Sequence, residues 1–146
     1  MKLQQATRCA IWAILELASR PTEKVGAKEL ALTYGMSQNH LAKVLQTLTR
    51  AKIVSSIRGP GGGFTFCGNA KRLTLFDIIS LFESDWPVED VEHGTCSDVA
   101  IELHKVLGEV DRIISATLRS VTVETIIKNA RRKEGRRGTI SLPMAS

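Results

Sequence analysis

Three short stretches of this sequence carry side chains able to read or hold another molecule. "SQNHLAK", Ser37 to Lys43, sets Gln38, Asn39, His40 and Lys43 close together. The carboxamides of Gln38 and Asn39 each offer a donor beside an acceptor, the pattern adenine presents in a major groove, and Lys43 can donate to guanine or to a phosphate. "SSIRGPGGGF", Ser55 to Phe64, places Arg58 before Gly59, Pro60, Gly61, Gly62 and Gly63. Glycines without Cβ atoms admit close approach to a phosphate or a minor groove, and arginine is a cation long enough to enter that groove. "EHGTCSD", Glu92 to Asp98, joins His93 and Cys96 to carboxylates, with His104 further on. Thiolate and imidazole suit zinc, iron or an iron–sulfur centre, although a histidine on an amphipathic helix also occurs as a structural or solvated residue.

Charge narrows the field. The 146 residues are 43% hydrophobic and 24% charged, with a net charge of +5, enough for one main soluble domain. Residues 1 to 83 hold eleven Lys/Arg against five Asp/Glu, residues 84 to 112 two against eight, and residues 113 to 146 seven against two. A basic first block fits a polyanion partner, because neutralised phosphates release counterions; it also fits a solvated basic surface. No apolar run approaches the roughly 20 residues of a membrane span, so the expectation is a cytoplasmic protein without a membrane partner. Cys9, Cys67 and Cys96 are odd in number and widely spaced, which argues against a disulfide framework. Cys9 and Cys67 read as packing residues. No nucleophile–base–acid set is present, and "GPGGG" lacks the lysine of a phosphate-binding loop and leads into a strand, so an enzyme is not expected.

Periodicity supplies the elements that must position these groups. Apolar residues at helical spacing predict a helix over Leu3 to Ala18 and a short one over Ala27 to Thr33. Gly35 suits a left-handed turn, and Ser37 is placed to cap a third helix, about Gln38 to Ala51, by accepting a backbone N–H. Leu41, Val44, Leu45 and Leu48 mark its buried side; Gln38, Asn39, His40, Lys43, Gln46, Thr47 and Arg50 mark the other. Two short helices around a glycine turn have the shape of a helix-turn-helix. "AKIVSSI" and "GFTFCG" then read as antiparallel strands around the Gly/Pro turn, either a DNA-binding wing or a plain hairpin. Asp98 to Arg119 is the longest periodic stretch. Its stripe of Val99, Leu103, Val106, Val110, Ile113 and Ile114 is broad enough to pack against a twin helix and against the first helix, with burial inside one subunit as the alternative. The fold expected is mainly α with a small β-wing: a winged helix-turn-helix at 1–83, a sensor loop at 84–97, a dimerisation helix and following segment at 98–130, and a basic disordered tail at 131–146.

"YGMSQNHLAKVLQTLTRAKIVSSIRGPGGGF" resembles the helix-turn-helix and wing of the bacterial regulator family that includes IscR, NsrR, RirA and CymR, and "SVTVETIIKNA" is similar to the segment after that family's dimerisation helix. "SQNHLAK" is nearest the NsrR branch, and "RGPGGGF" is nearer IscR. The resemblance implies a homodimeric DNA-binding transcriptional regulator, most simply a repressor, on a pseudo-palindromic operator of double-stranded DNA. The residues it implies for DNA binding are Ser37, Gln38, Asn39, His40, Lys43, Arg58, Gly59, Gly61 and Gly62.

The sensing arm departs from the family. Cluster-bearing members place three cysteines before the dimerisation helix, at positions that fall near Glu89, Thr95 and Ile101 here. A carboxylate that NsrR-like members supply from the partner's first helix falls near Arg8. His104 does match a histidine of IscR. Two expectations follow: an iron–sulfur cluster or metal with atypical ligands Cys96, His93 and His104, sensing redox, iron or nitric oxide; or a cluster-free regulator controlled by a thiol switch, a small ligand or a partner protein, as in CymR-like members.

Overall fold

The computed structural model describes residues 2–84 and 97–138. In chain order the elements are α1 (Gln5–Ser19), α2 (Ala27–Tyr34), α3 (Gln38–Arg50), β1 (Val54–Ile57), β2 (Gly63–Phe66), α4 (Leu75–Ser80), α5 (Asp98–Ser120) and α6 (Val123–Gly138). Leu17 and Ile14 of α1, Leu30 of α2 and Leu41, Leu45 and Leu48 of α3 are wholly buried together, with Val25, Val54 and Ile78 closing the same core. Each such side chain contributes roughly 1.5–3 kcal/mol on leaving water. The core is therefore what fixes α3 on α1.

The turn between α2 and α3 forms because Gly35 takes φ 62°, ψ 36°, and the following Met36 N–H donates to the Ala31 carbonyl at 2.8 Å. A glycine carries no Cβ penalty there. Ser37 does occupy the N-cap position of α3, but its side chain makes no capping hydrogen bond. Only its carbonyl takes part, accepting from Leu41 N–H at 2.9 Å. At the other end of α3, Lys52 sits at φ 58°, a left-handed conformation that costs a residue with a Cβ about 1 kcal/mol or more. Ile53 N–H donates back to the Leu48 carbonyl at 3.1 Å across this turn. Lys52→Gly is expected to raise stability by about 0.5–1 kcal/mol in urea unfolding, net of glycine's larger chain entropy; a lower midpoint would show that the lysine side chain stabilises the turn.

The hairpin pairs Val54 with Phe66 and Ile57 with Gly63. It gains an unforeseen third partner: Val25 N–H donates to Phe64 O at 3.0 Å and Phe64 N–H donates to Val25 O at 2.9 Å. The residue between α1 and α2 thus ties the wing to the helical core. The short helix α4, also unforeseen, starts at a capping box in which Thr74 and Asp77 each accept the other's backbone N–H.

Two expectations change at the C-terminal end. Residues 131–138 were expected to be disordered, yet α6 continues from Val123 through them. Arg, Lys and Glu are good helix formers, and a helix that is already nucleated extends at little cost. Within one chain it is α6, rather than the long helix, that makes the main contact with α1; Arg131 reaches the Ser19 carbonyl at 3.3 Å. The long helix packs on α4, where the Arg119 guanidinium lies 3.4 Å from the Phe76 ring centre. No residue of α5 is buried within the chain.

Glu83 links the end of this region back to its beginning. One carboxylate oxygen accepts from Gln4 N–H at 2.9 Å and from the fully buried Thr7 hydroxyl at 2.5 Å. The Thr7 hydrogen bond holds the Glu83 carboxyl below its ordinary range. A carboxylate whose pKa is lower in the folded chain stabilises fully above the unfolded value, and that contribution is lost as pH falls through the folded value. The stability gap between wild type and Glu83→Gln is accordingly expected to be full at pH 7, to start narrowing as pH falls past the ordinary glutamate value and to close once pH is below the lowered folded-state value, read from urea midpoints. A gap independent of pH would mean that the ionised form is not what matters.

Candidate nucleic-acid interface

On α3, the buried Leu41, Val44, Leu45 and Leu48 force the opposite side into solvent. Asn39, Lys43, Gln46 and Arg50, spaced by four, three and four residues, form one exposed stripe there. Gln46 and Arg50 thus belong with the candidate reading residues. Their spacing from Asn39 was the signal, and both lay on the outer face already. Ser37 and Gln38 are exposed at the start of the helix, with Gln38 set to one side of the stripe. His40 is different. It is half-buried, and its Nε2 is shut from solvent without a hydrogen-bond partner. An imidazole so placed is poorly presented to a base edge, so the outward stripe is the stronger reading surface.

Arg58, Gly59, Pro60 and Gly61 are exposed at the tip of the hairpin. The tip closes through Gly62 N–H donating to Gly59 O at 2.9 Å. Gly62 is required by space: a Cβ there would stand 2.2 Å from the Ile57 carbonyl oxygen and 2.8 Å from that of Gly59. The absence of that one carbon lets the strands meet so tightly. Arg58, by contrast, makes no ion pair among the described residues.

A recognition-type helix held by its apolar side, with an arginine-tipped hairpin following it, is the geometry of a winged helix-turn-helix. The family described as Rrf2, iron-dependent transcriptional regulator, matches residues 3–129. The chain belongs to the Rrf2 family. Among its relatives, this Rrf2 protein is 45% identical to the helix-turn-helix transcriptional regulator BadM of Rhodopseudomonas palustris over 142 residues, covering 94% of this chain and 90% of that one. It is 30% identical to the transcriptional regulator NsrR of Bacillus subtilis over 134 residues, covering 88% and 92%. In fold it is similar to the B. subtilis cysteine regulator CymR, with TM-score 0.75 at 24% identity over 88% of this chain and 98% of that one. T. potens IscR gives TM-score 0.72 at 20% identity, covering 97% and 93%. The Rrf2 protein is a transcriptional regulator with a DNA-binding winged-helix fold and not an enzyme. No helix among the described residues is long and apolar enough to cross a membrane.

Of the candidate cluster ligands, His104 is half-buried on α5, while His93 and Cys96 lie outside the described residues. Among the described residues no group of three His, Cys, Asp or Glu could hold a metal. Cys9 is buried, and burial pushes its thiol up from the ordinary value, which suits packing rather than reactivity. Cys67 is exposed at the end of the wing, and its thiol donates to the Lys52 carbonyl at 3.3 Å. The stripe expected to dimerise stands open: Val99 is 80% exposed and Val106 60%, with Leu103, Val110 and Ile113 also exposed and Ile114 half-buried.

Proposed function

We propose that this Rrf2 regulator acts as a homodimeric repressor, each protomer laying α3 in a major groove and the wing against the adjacent backbone or minor groove of a pseudo-palindromic operator. The exposed stripe Asn39–Lys43–Gln46–Arg50 carries this reading, since it is the surface that the core leaves to a partner. Asn39 is assigned to an adenine edge, Lys43 to a base or phosphate, and Arg58 to the wing contact. Gly59, Gly61 and Gly62 allow the wing its approach. The exposed apolar stripe of α5 supports the dimer, and two-fold pairing would set the half-sites about one helical turn apart.

Binding titrations on an operator and on random DNA, over a range of salt, test the assignment. Asn39→Ala is expected to lose about 1–3 kcal/mol on the operator and little on random DNA. Arg58→Ala is expected to weaken both and to lower the salt slope by about one. Equal losses by the two variants on both DNAs would overturn this division of roles.

For the signal, the donor set does not fit a cysteine-ligated cluster. Glu89, Thr95 and Ile101 occupy the positions where the resemblance implies thiols, and Arg8 offers a guanidinium where a carboxylate ligand would be needed. We therefore favour cluster-free control. Iron and acid-labile sulfide analysis of anaerobically purified protein checks this, with neither expected in stoichiometric amount; both together would restore the cluster with Cys96, His93 and His104 as first ligands to mutate.

A further inference from the structure

A cavity of about 410 Å³ opens between the first half of α1 and the turn joining α2 to α3. Its walls are of two kinds. Trp12, Tyr34 and Met36 supply apolar surface, while Lys2 and Arg8 supply cations, and among the described residues no carboxylate lines it. The volume falls within the range of small-molecule sites, and so does the combination of an apolar wall with a few convergent polar groups.

The apolar wall is built rigidly. Trp12 stacks on Tyr34 with ring centres 5.4 Å apart and planes 22° apart, yet remains 48% exposed. The Tyr34 hydroxyl donates to Glu16 at 2.6 Å, which fixes the ring. Glu16 is itself held by Arg20 at 3.3 Å, and Arg20 also grips Glu23 and Glu29. Glu16, Glu23 and Glu29 are thus engaged with Arg20 and Tyr34. Lys2 and Arg8 make no ion pair among the described residues. A half-exposed aromatic pair thus lies beside two cations that have no ion-pair partner among the described residues, which places apolar area and positive charge together.

We propose that this cavity binds a small organic anion with a flat apolar body. The Arg8 guanidinium, planar and able to donate two parallel hydrogen bonds, takes the anionic head with help from Lys2. The Trp12–Tyr34 pair and Met36 take the flat body. A DNA phosphate would satisfy the cations but would leave the aromatic wall unused, and for that reason a free small molecule is the better match. Gly35 and Met36 line the same cavity and lead directly into Ser37 and α3, so an occupant presses on the turn that sets the start of the reading helix. This regulatory meaning rests on the DNA-binding reading, whereas the binding site itself does not.

The test is calorimetric titration of the full chain, without DNA, with 1-naphthalenesulfonate and with neutral 1-naphthalenemethanol. Saturable binding of the sulfonate is expected, at least tenfold tighter than the alcohol. Arg8→Gln should abolish that preference, and Trp12→Leu should weaken both compounds. Arg8 is exposed on α1, so a matching thermal midpoint will show that its variant is folded. No saturable binding, equal binding of the two compounds, or unchanged sulfonate affinity in Arg8→Gln would each overturn the proposal. Loss of DNA affinity in Arg8→Gln with sulfonate binding intact would reassign the cation to a phosphate and overturn it too. Failure of the DNA reading alone would leave the titration result untouched.

Discussion

Replacing Val106 and Val110 together by aspartate is expected to turn the protein into a monomer at micromolar concentration and to weaken operator binding by roughly a hundredfold. Val106, Val110, Leu103 and Ile113 are all about half exposed or more on one side of α5, and no element among the described residues covers them. Such a row in water is the signature of a surface that another apolar surface covers. Two carboxylates at its centre would have to be desolvated in any such contact, without a cation opposite each to compensate. The subunit itself should survive, because no α5 residue is buried in its own core. Sedimentation equilibrium together with circular dichroism separates the outcomes: a helical monomer agrees with the expectation, and an unchanged dimer would move the interface off this stripe. The DNA penalty follows because a linked second half-site raises affinity by effective concentration and is lost with the link.

The second large effect is expected at Gly62. Alanine there puts a methyl carbon 2.2 Å from the Ile57 carbonyl oxygen and 2.8 Å from that of Gly59. Both obstacles are backbone, so a rotamer change cannot relieve the clash. Opening the tip would break the bond from Gly62 N–H to Gly59 O and disturb the adjacent Ile57–Gly63 pair. A loss of about 1–3 kcal/mol in urea unfolding is expected, together with weaker binding to every DNA sequence. Gly61→Ala is the control: space around it is open, and only its φ of 73° opposes a side chain. It should cost less. Equal behaviour of the two variants would show that the tip can reshape without consequence.

These effects sit at different distances from what the linear order of residues makes plain. Helices α2, α3 and α5 follow the apolar spacing to within a residue or two, and Gly35 stands at the left-handed turn its type foretold. The outer face of α3 was legible because its buried leucines were. His40 was not, since its neighbours on the same turn give no sign that its ring tucks inward. Residues 131–138 misled through their lack of apolar side chains, because helix propensity and continuity with α6 act there instead, while 139–146 lie outside the described residues.

The sequence by itself determined the local units of this protein: a pair of short helices around a glycine turn, a glycine-tipped hairpin and a long amphipathic helix, each specified by contacts between near neighbours. Only the tertiary structure decided which distant residues meet. Val25 joins the wing, Glu83 clamps Gln4 and Thr7, α6 covers one side of α1, and Arg8 and Trp12 come to share a cavity with Met36. Such contacts require loops to close before any interaction offsets their entropy, so they depend on how the whole core packs and leave no periodic trace in the residues that make them.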